Sequence, residues 1–452
     1  MAHHPIRRGL DLPIAGEAAG PAVQLDLPST VGIDPRELRG FIPRLAAREG
    51  DEVKAGQPLM FHKFEPRVQV VAPVAGRVKE IRRGARRVIT GFVIDTVAEG
   101  GVVQHATHAL DALPSLSREA VLEQMLAGGV WPLLRTRPLD HLPSPSTVPQ
   151  WVLVDGMETG PLQPGPDALL AAEDREALQA GIHVLGRLTD GGVVLTHAEG
   201  AAHPAFQGLT GAEVHTFSGP HPAGDPAVQV SHIRPPTGTG RVFTIRAWDA
   251  VIVGRLFLTG RYDGTRVYAA VGTGVTQPRL VRTVQGAPLP HLTGPVIDGP
   301  ARWIRGSVLT GTRVGPEGFA GLSSRSVHVL PDTVERELFG WATPQLGKWS
   351  FHRSYLKGFG RPSARYDLRP GLYGGHRALV PTGVHDTVIA TPDIQPTFLF
   401  RSLIAGDLEG SIKLGLLDIS EEEAALLSYI DPSKNDFDVI LRDSLELYAK
   451  EA

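Results

Sequence analysis

A chain of 452 residues is too long for one hydrophobic core, and its length implies about three domains. With 42% hydrophobic residues, 21% charged residues and a formal charge of −3, it has the composition of a folded soluble protein and lacks the cationic surplus of a general nucleic-acid binder, so no nucleic-acid partner is expected. It contains no cysteine, which excludes disulfides, thiolate zinc sites, cysteine nucleophiles and cysteine-ligated iron–sulfur clusters from this chain. The strongly apolar stretch AVIVGRLFL (250–258) is broken by Arg255 and falls short of the roughly 20 residues a spanning helix needs. No transmembrane helix is expected. The N-terminal MAHHPIRRGLDLP has charge but no apolar core, so it does not read as a secretory signal.

Residues 49–78, EGDEVKAGQPLMFHKFEPRVQVVAPVAGRV, place turn signals at Gly50-Asp51, Ala55-Gly56 and Pro73–Gly76 around strand-like runs at 59–61, 68–71 and 78–81. That punctuation predicts a small flattened β-sandwich. Over residues 40–97 the stretch resembles biotinyl and lipoyl carrier domains. The resemblance puts their modified lysine a fixed distance before Ala72-Pro73, where this chain has Glu65. Lys63 lies nearby but is flanked by His62 and Phe64. A carboxylate accepts neither biotin nor lipoate, so a barrel-sandwich domain without a carrier lysine is expected over 1–104. The four arginines of RRGARR (82–87) read as a solvated turn, with an acidic partner or lipid headgroups as the alternative.

Further along, Ser117 followed by Val121, Leu122, Met125 and Leu126 predicts a helix that ends at Gly128-Gly129. Trp151–Val154 reads as a buried strand, 166–188 as a helix, GGVVLTHAE as the next strand and GAEVHTFSG as another, ending at SGPHPAG. Strand, helix, strand at this spacing predicts parallel strands in a Rossmann-like α/β domain over 105–255. From 256 to 330 short strands with frequent Gly and Pro predict a small β-rich domain. The stretch from Trp341 to Arg377 is aromatic, basic and nearly aperiodic, which suggests an interaction segment with Trp341, Trp349, Tyr355 and Tyr366 as its anchors. Three amphipathic segments close the chain, one opening with Ser420 before three glutamates, a helix start.

Six motifs then point to one family: IRRGLDLPIAGE (6–17), LLRTRP (133–138), FSGPHPAG (217–224), VGRLFLTG (253–260), QPRLVRT (277–283) and DIQPTFLFRSLIAGD (393–407). In this order they resemble the alpha subunit of the bacterial sodium-translocating NADH:quinone reductase. The resemblance implies an α/β multidomain chain with a barrel-sandwich N-terminus, a Rossmann-like domain, a β-grasp domain of the SLBB type and a helical C-terminal part over 331–452. It implies a peripheral subunit on the cytoplasmic face of the bacterial inner membrane, in a six-subunit complex that oxidises NADH, reduces ubiquinone or another quinone and exports sodium. Its chief partner would be the membrane-embedded B subunit. Flavins, iron–sulfur centres and quinone belong to the complex, none of them to this chain, which would not be catalytic alone. Two other roles are a quinone-binding redox subunit and a purely structural docking scaffold. Flavin-binding relatives carry a glycine-rich loop where this chain has AGGVWPLLRTRP, and their cysteine-bearing helical region corresponds here to LLSYIDPSKNDFD. Where the family commonly has Gly-Thr-His-Ile-His, this chain reads DPAVQVSHIRPP.

His197, His203, His215, His221 and His232 crowd one segment without the close spacing of a metal motif, so no metal site is expected. His221 differs, because prolines on both sides fix its backbone at the carboxyl end of a predicted strand, where open α/β sheets place ligands. The candidate quinone contacts are therefore His215 and His221, with Trp131, Arg135 and Arg137 available to pack on a ring and bond its oxygens. The alternative for these three is a plug in the vacated flavin loop that faces a neighbouring subunit.

Overall fold

The structure is a computed structural model that describes residues 2–200, 203–333, 339, 349–353, 365–367, 378–381 and 383–451. In the first unit, strands Thr30–Ile33, Ile89–Thr96, Gly76–Arg83 and Glu52–Val53 form a four-stranded sheet, and Pro43–Leu45, Pro58–His62 and Gln69–Val71 a three-stranded one. Val31, Leu59, Met60, Phe92 and Ile94 are buried between them. The hairpin tip holds Glu65, whose carboxylate accepts from Arg67 Nε at 2.8 Å and Nη2 at 2.9 Å. Glu65 is thus tied to its own loop. Arg83, Arg86 and Arg87 of the basic run are exposed.

The N-terminal chain does not stay in that unit. Ala2–Pro5 pairs in parallel with Ala212–Ser218, and Val23–Gln24 pairs in parallel with Arg279–Val284 of the third unit.

The second unit is a six-stranded sheet in the order 2–5, 212–218, 193–198, 151–156, 242–246 and 135–137. Its first five strands are parallel and Arg135–Arg137 is antiparallel at the edge. Helix Arg118–Ala127 starts where Ser117 accepts from Ala120 N–H. The single helix expected over 166–188 is broken into Pro166–Leu169 and Arg175–Gly186. The cause is Asp174, which accepts from Ala171 N–H at 2.8 Å and pairs with Arg255, so the chain turns before restarting the helix. Helix Ala247–Thr259 runs past residue 255 and stops at left-handed Gly260. It packs on 175–186 through two glycines: a Cβ on Gly254 would lie 1.7 Å from Ala177 O and one on Gly181 2.3 Å from Ala250 O. Only residues without a side chain permit that approach.

Strands 312–314, 301–305, 326–331, 265–271, 279–284 and 23–24 build the third unit, a mixed six-stranded sheet with one short helix, Leu289–Thr293. Helices Pro396–Ile404, Leu408–Lys413, Glu421–Ile430 and Phe437–Glu451 then pack around Leu399, Phe400, Leu426, Phe437 and Leu441. Among the described residues no helix is long and apolar enough to cross a membrane.

Candidate functional site: a charged crevice between the units

Parallel strands 151–156, 212–218 and 242–246 all end on one side of the second unit, where an open α/β sheet offers a crevice. Three cavities meet there, of about 240, 200 and 560 Å³, and Thr310 and Ser323 line all three. The third unit and the helix beginning at Glu421 form the opposite wall.

Behind Arg246, which lines two of the cavities, sits Asp155, fully buried at the end of its strand. One oxygen accepts from Met157 N–H at 2.9 Å and Gln229 Nε2 at 3.1 Å, and the other from Arg246 Nη1 at 2.5 Å. Burial pushes Asp155 up to about 6, against the pull of Arg246. The same Nη1 also donates to Met157 O and Gly224 O, so this guanidinium knots three loops together at the strand ends.

His221 lies in the loop after 212–218 and is 3% exposed. Its Nδ1 is 3.2 Å from Thr159 Oγ1. Its Nε2 has no hydrogen-bond partner and lies 3.5 Å from Glu422 Oε2, an ion-pair distance. Burial lowers the pKa of His221, but Glu422, Glu158 and Asp225 outweigh that and hold it above the usual value. Glu422 is depressed in turn, since burial raises it less than His221, Thr310 and Ser307 together lower it.

Arg135 and Arg137 share one face of the edge strand, and both line the 240 Å³ cavity. Arg135 donates to Pro132 O, Leu134 O and Ser323 Oγ. Arg137 Nη2 lies 3.8 Å from both Asp140 and Asp225, and its Nε is buried without a partner.

The structure therefore brings His221, Arg135 and Arg137 to one crevice and leaves the other candidates out. Trp131 is fully buried, donates Nε1–H to Pro143 O at 2.9 Å and meets Phe243 edge-on. Its ring fills the core and has no face left for a quinone. His215 points to the far sheet edge, where its Nδ1 is 2.8 Å from His4 Nε2 and its Nε2 2.8 Å from Glu213. His232 faces Ala390 O at 2.9 Å, His197 stacks on Phe206 and His203 caps a short turn. Among the described residues no three His, Cys, Asp or Glu side chains are placed to hold a metal.

Two of the aromatic anchors turn inward. Trp349 stacks on Tyr429 with centroids 6.5 Å apart, and Tyr366, 9% exposed, bridges Ile14. Trp341 and Tyr355 lie outside the described residues. Sequence reasoning missed Asp155, Glu158, Arg246 and Arg39, and it read Glu422 only as part of a helix start. Ion pairs close the crevice: buried ones of Arg305 with Asp34 and Glu37 and of Arg325 with Asp249, and the half-buried Arg39 with Glu421 and Asp140.

Fold and site together define a class, a multi-unit α/β chain whose separate sheets and terminal helices enclose a polar, ion-paired crevice. Family models match three stretches: the NqrA N-terminal barrel-sandwich hybrid domain over residues 5–97, the NqrA second alpha/beta domain over 116–262 and the NQRA C-terminal domain, of the SLBB type, over 267–315. The A subunit of the Na(+)-translocating NADH-quinone reductase of Klebsiella pneumoniae (strain 342) is 40% identical over 97% of this chain and 98% of its own length. The proteins of the same name from Pasteurella multocida (strain Pm70) and Neisseria meningitidis (serogroup A, strain Z2491) are 37% and 36% identical, each over 99% of both chains. The chain belongs to this family, the A subunits of Na(+)-translocating NADH-quinone reductases. A solved NAD+-reducing [NiFe]-hydrogenase chain matches 52% of this chain at 13% identity and a TM-score of 0.29, too low to carry an argument.

Proposed function

We propose that this chain acts as a peripheral subunit of a Na(+)-translocating NADH-quinone reductase, supporting electron transfer from NADH to quinone coupled to sodium export. The carrying observation is relatedness at 36–40% identity over nearly the whole chain to proteins of that name. The reading includes a place on the cytoplasmic face of the inner membrane, docking on the membrane-embedded B subunit through the stretch 341–377, and flavins, iron–sulfur centres and quinone held by the complex. It also takes the α/β unit as Rossmann-like, the third unit as β-grasp and the end as a helical domain, with divisions near 104, 255 and 330. The test is complementation: a bacterium lacking its own A subunit is given this chain, and sodium-dependent NADH:quinone reductase activity is measured in its membranes. Restored activity with the chain co-purifying is the expected result; a chain that stays apart from the complex refutes the reading.

A second reading, that this subunit itself touches quinone, is favoured by one feature. His221 presents a buried Nε2, 3.5 Å from Glu422 Oε2 and with no closer hydrogen-bond partner, beside a 200 Å³ cavity. Histidine there donates to a quinone oxygen, with Arg135 and Arg137 on the adjoining wall. Because the pKa of His221 is raised, its proton is present at low pH and lost as pH rises through the raised value. His221→Gln in the assembled complex should flatten the fall of quinone reduction between about pH 6 and 8. A profile of unchanged shape and height would leave the loop a scaffold.

A further inference from the structure

The walls of the 560 Å³ cavity carry arginines at 36, 39, 135, 305 and 442 against the carboxylates Glu37, Asp140 and Asp438. Four of these five arginines are matched. Arg36 pairs with Asp34, Arg39 with Glu421 and Asp140, Arg305 with Asp34 and Glu37, and Arg442 with Glu421.

Arg135 is the exception. Among the described residues its guanidinium meets two carbonyls at 2.8 Å and Ser323 Oγ at 2.7 Å, and no carboxylate at ion-pair distance. Those three bonds leave two of the five guanidinium donors unused. Burial holds the pKa of Arg135 below the usual arginine value, with Asp140 opposing. On the same wall Ser324 Oγ is buried with no partner, and the Ser323 hydroxyl, which accepts from Arg135, keeps its own proton to donate. A desolvated cation and unused hydroxyl donors at one wall are costly when left alone. They suit one kind of guest, because a guanidinium fork matches the paired oxygens of an oxyanion.

We propose that this cavity binds a small oxyanion, a phosphoryl or carboxylate group, seated between Arg135 and the hydroxyls of Ser323 and Ser324. Arg135 belongs to the edge strand of the α/β unit and both serines to the third unit, so the bound anion clamps one unit to the other. The site shares Arg135 with the quinone reading, whose histidine lines a neighbouring cavity, but its guest is a different chemical class and is titrated without quinone.

The test is calorimetric titration of the full chain with inorganic phosphate and, separately, with succinate, each against sodium chloride at matched ionic strength. Saturable one-to-one binding of at least one of them is expected, weakened about tenfold or more in Arg135→Gln and partly restored in Arg135→Lys. Phosphate alone binding assigns a phosphoryl guest; succinate alone assigns a carboxylate. No saturable binding of either, or equal affinity in Arg135→Gln, overturns the proposal. If Arg135→Gln does not fold, the chain carrying both Ser323→Ala and Ser324→Ala replaces it, with the same weakening expected and unchanged affinity again overturning the site.

Discussion

Asp249 and Arg325 are 4% and 5% exposed at their side chains and bind each other across two units. Arg325 also donates to Leu322 O and Ser324 O, so removing only the acid leaves a buried cation without its counter-charge. Asp249→Ala should cost about 3–5 kcal/mol, read as a lower urea midpoint, whereas replacing both partners by apolar residues of similar volume should cost far less. His328 makes a second case. Fully buried beside Gln163, it is pushed down to about 4 by desolvation. The unfolded chain takes up that proton near pH 6.5 and the native one does not, so stability is complete above 6.5 and falls towards pH 4, by about 3 kcal/mol in all. His328→Gln should flatten the dependence of urea midpoint on pH across this window; an unchanged slope would show that other groups set it. Residues of this kind were illegible in the sequence. Asp249 and Arg325 lie 76 positions apart, and neither sits in a motif that announces a partner. His221 drew attention in the sequence because prolines on both sides restrict its backbone. Trp131 stayed between two readings, a ligand contact and a plug, because an indole suits a core as well as a ligand and only packing decides.

Elements whose signals are local were read well. The helix starts at Ser117 and Ser420 follow from side-chain caps, and at Ser420 the structure adds the reciprocal bond from its own N–H to Glu423. Ser420→Ala should cost about 1 kcal/mol and shift the thermal midpoint down accordingly. Strand 2–5 was not legible, because AHHP has little strand character and its partner lies far along the chain. What holds it is a histidine group. His4 bonds His215 and stacks on Phe217, His215 bonds Glu213, and His3 lies within reach of Thr216, Ser218 and Glu199. His232 meets the ring of His4 edge-on and Arg234 pairs with Glu213. Burial first, then His215, His232 and His3, lower the pKa of His4. The histidine contribution to the strand's anchoring is therefore present above the unfolded value of about 6.5 and weakens as pH falls below it. Amides of residues 4 and 6, corrected for intrinsic rates, should lose protection between pH 7.5 and 5.5, about one unit either side of that value. His4→Phe should remove the pH slope while keeping the ring contact with Phe217.

For the whole molecule, composition and zero cysteines set the class, and ordered motifs identified the sequence of units. The crevice itself was not written in any one segment, since it exists only where three units and the terminal helices meet. Arg39 shows how that meeting is held: it comes from the first unit, is two-pronged on Glu421 of the terminal helices and lies 3.2 Å from Asp140 of the second. Arg39→Met should leave each unit folded while freeing the last helices, seen as faster limited proteolysis after residue 420 with little change in circular dichroism.

Strand 2–5 carries a consequence for the order in which the protein is made. His3 and its partner Thr216 are 213 positions apart, so at about 5–20 residues per second a ribosome needs roughly 10–40 s to deliver the second after the first. Val23 waits longer still for Val281. The sandwich between them can close during that time with both flanking segments unpaired, and the α/β sheet then gains its edge from chain that was synthesised long before it.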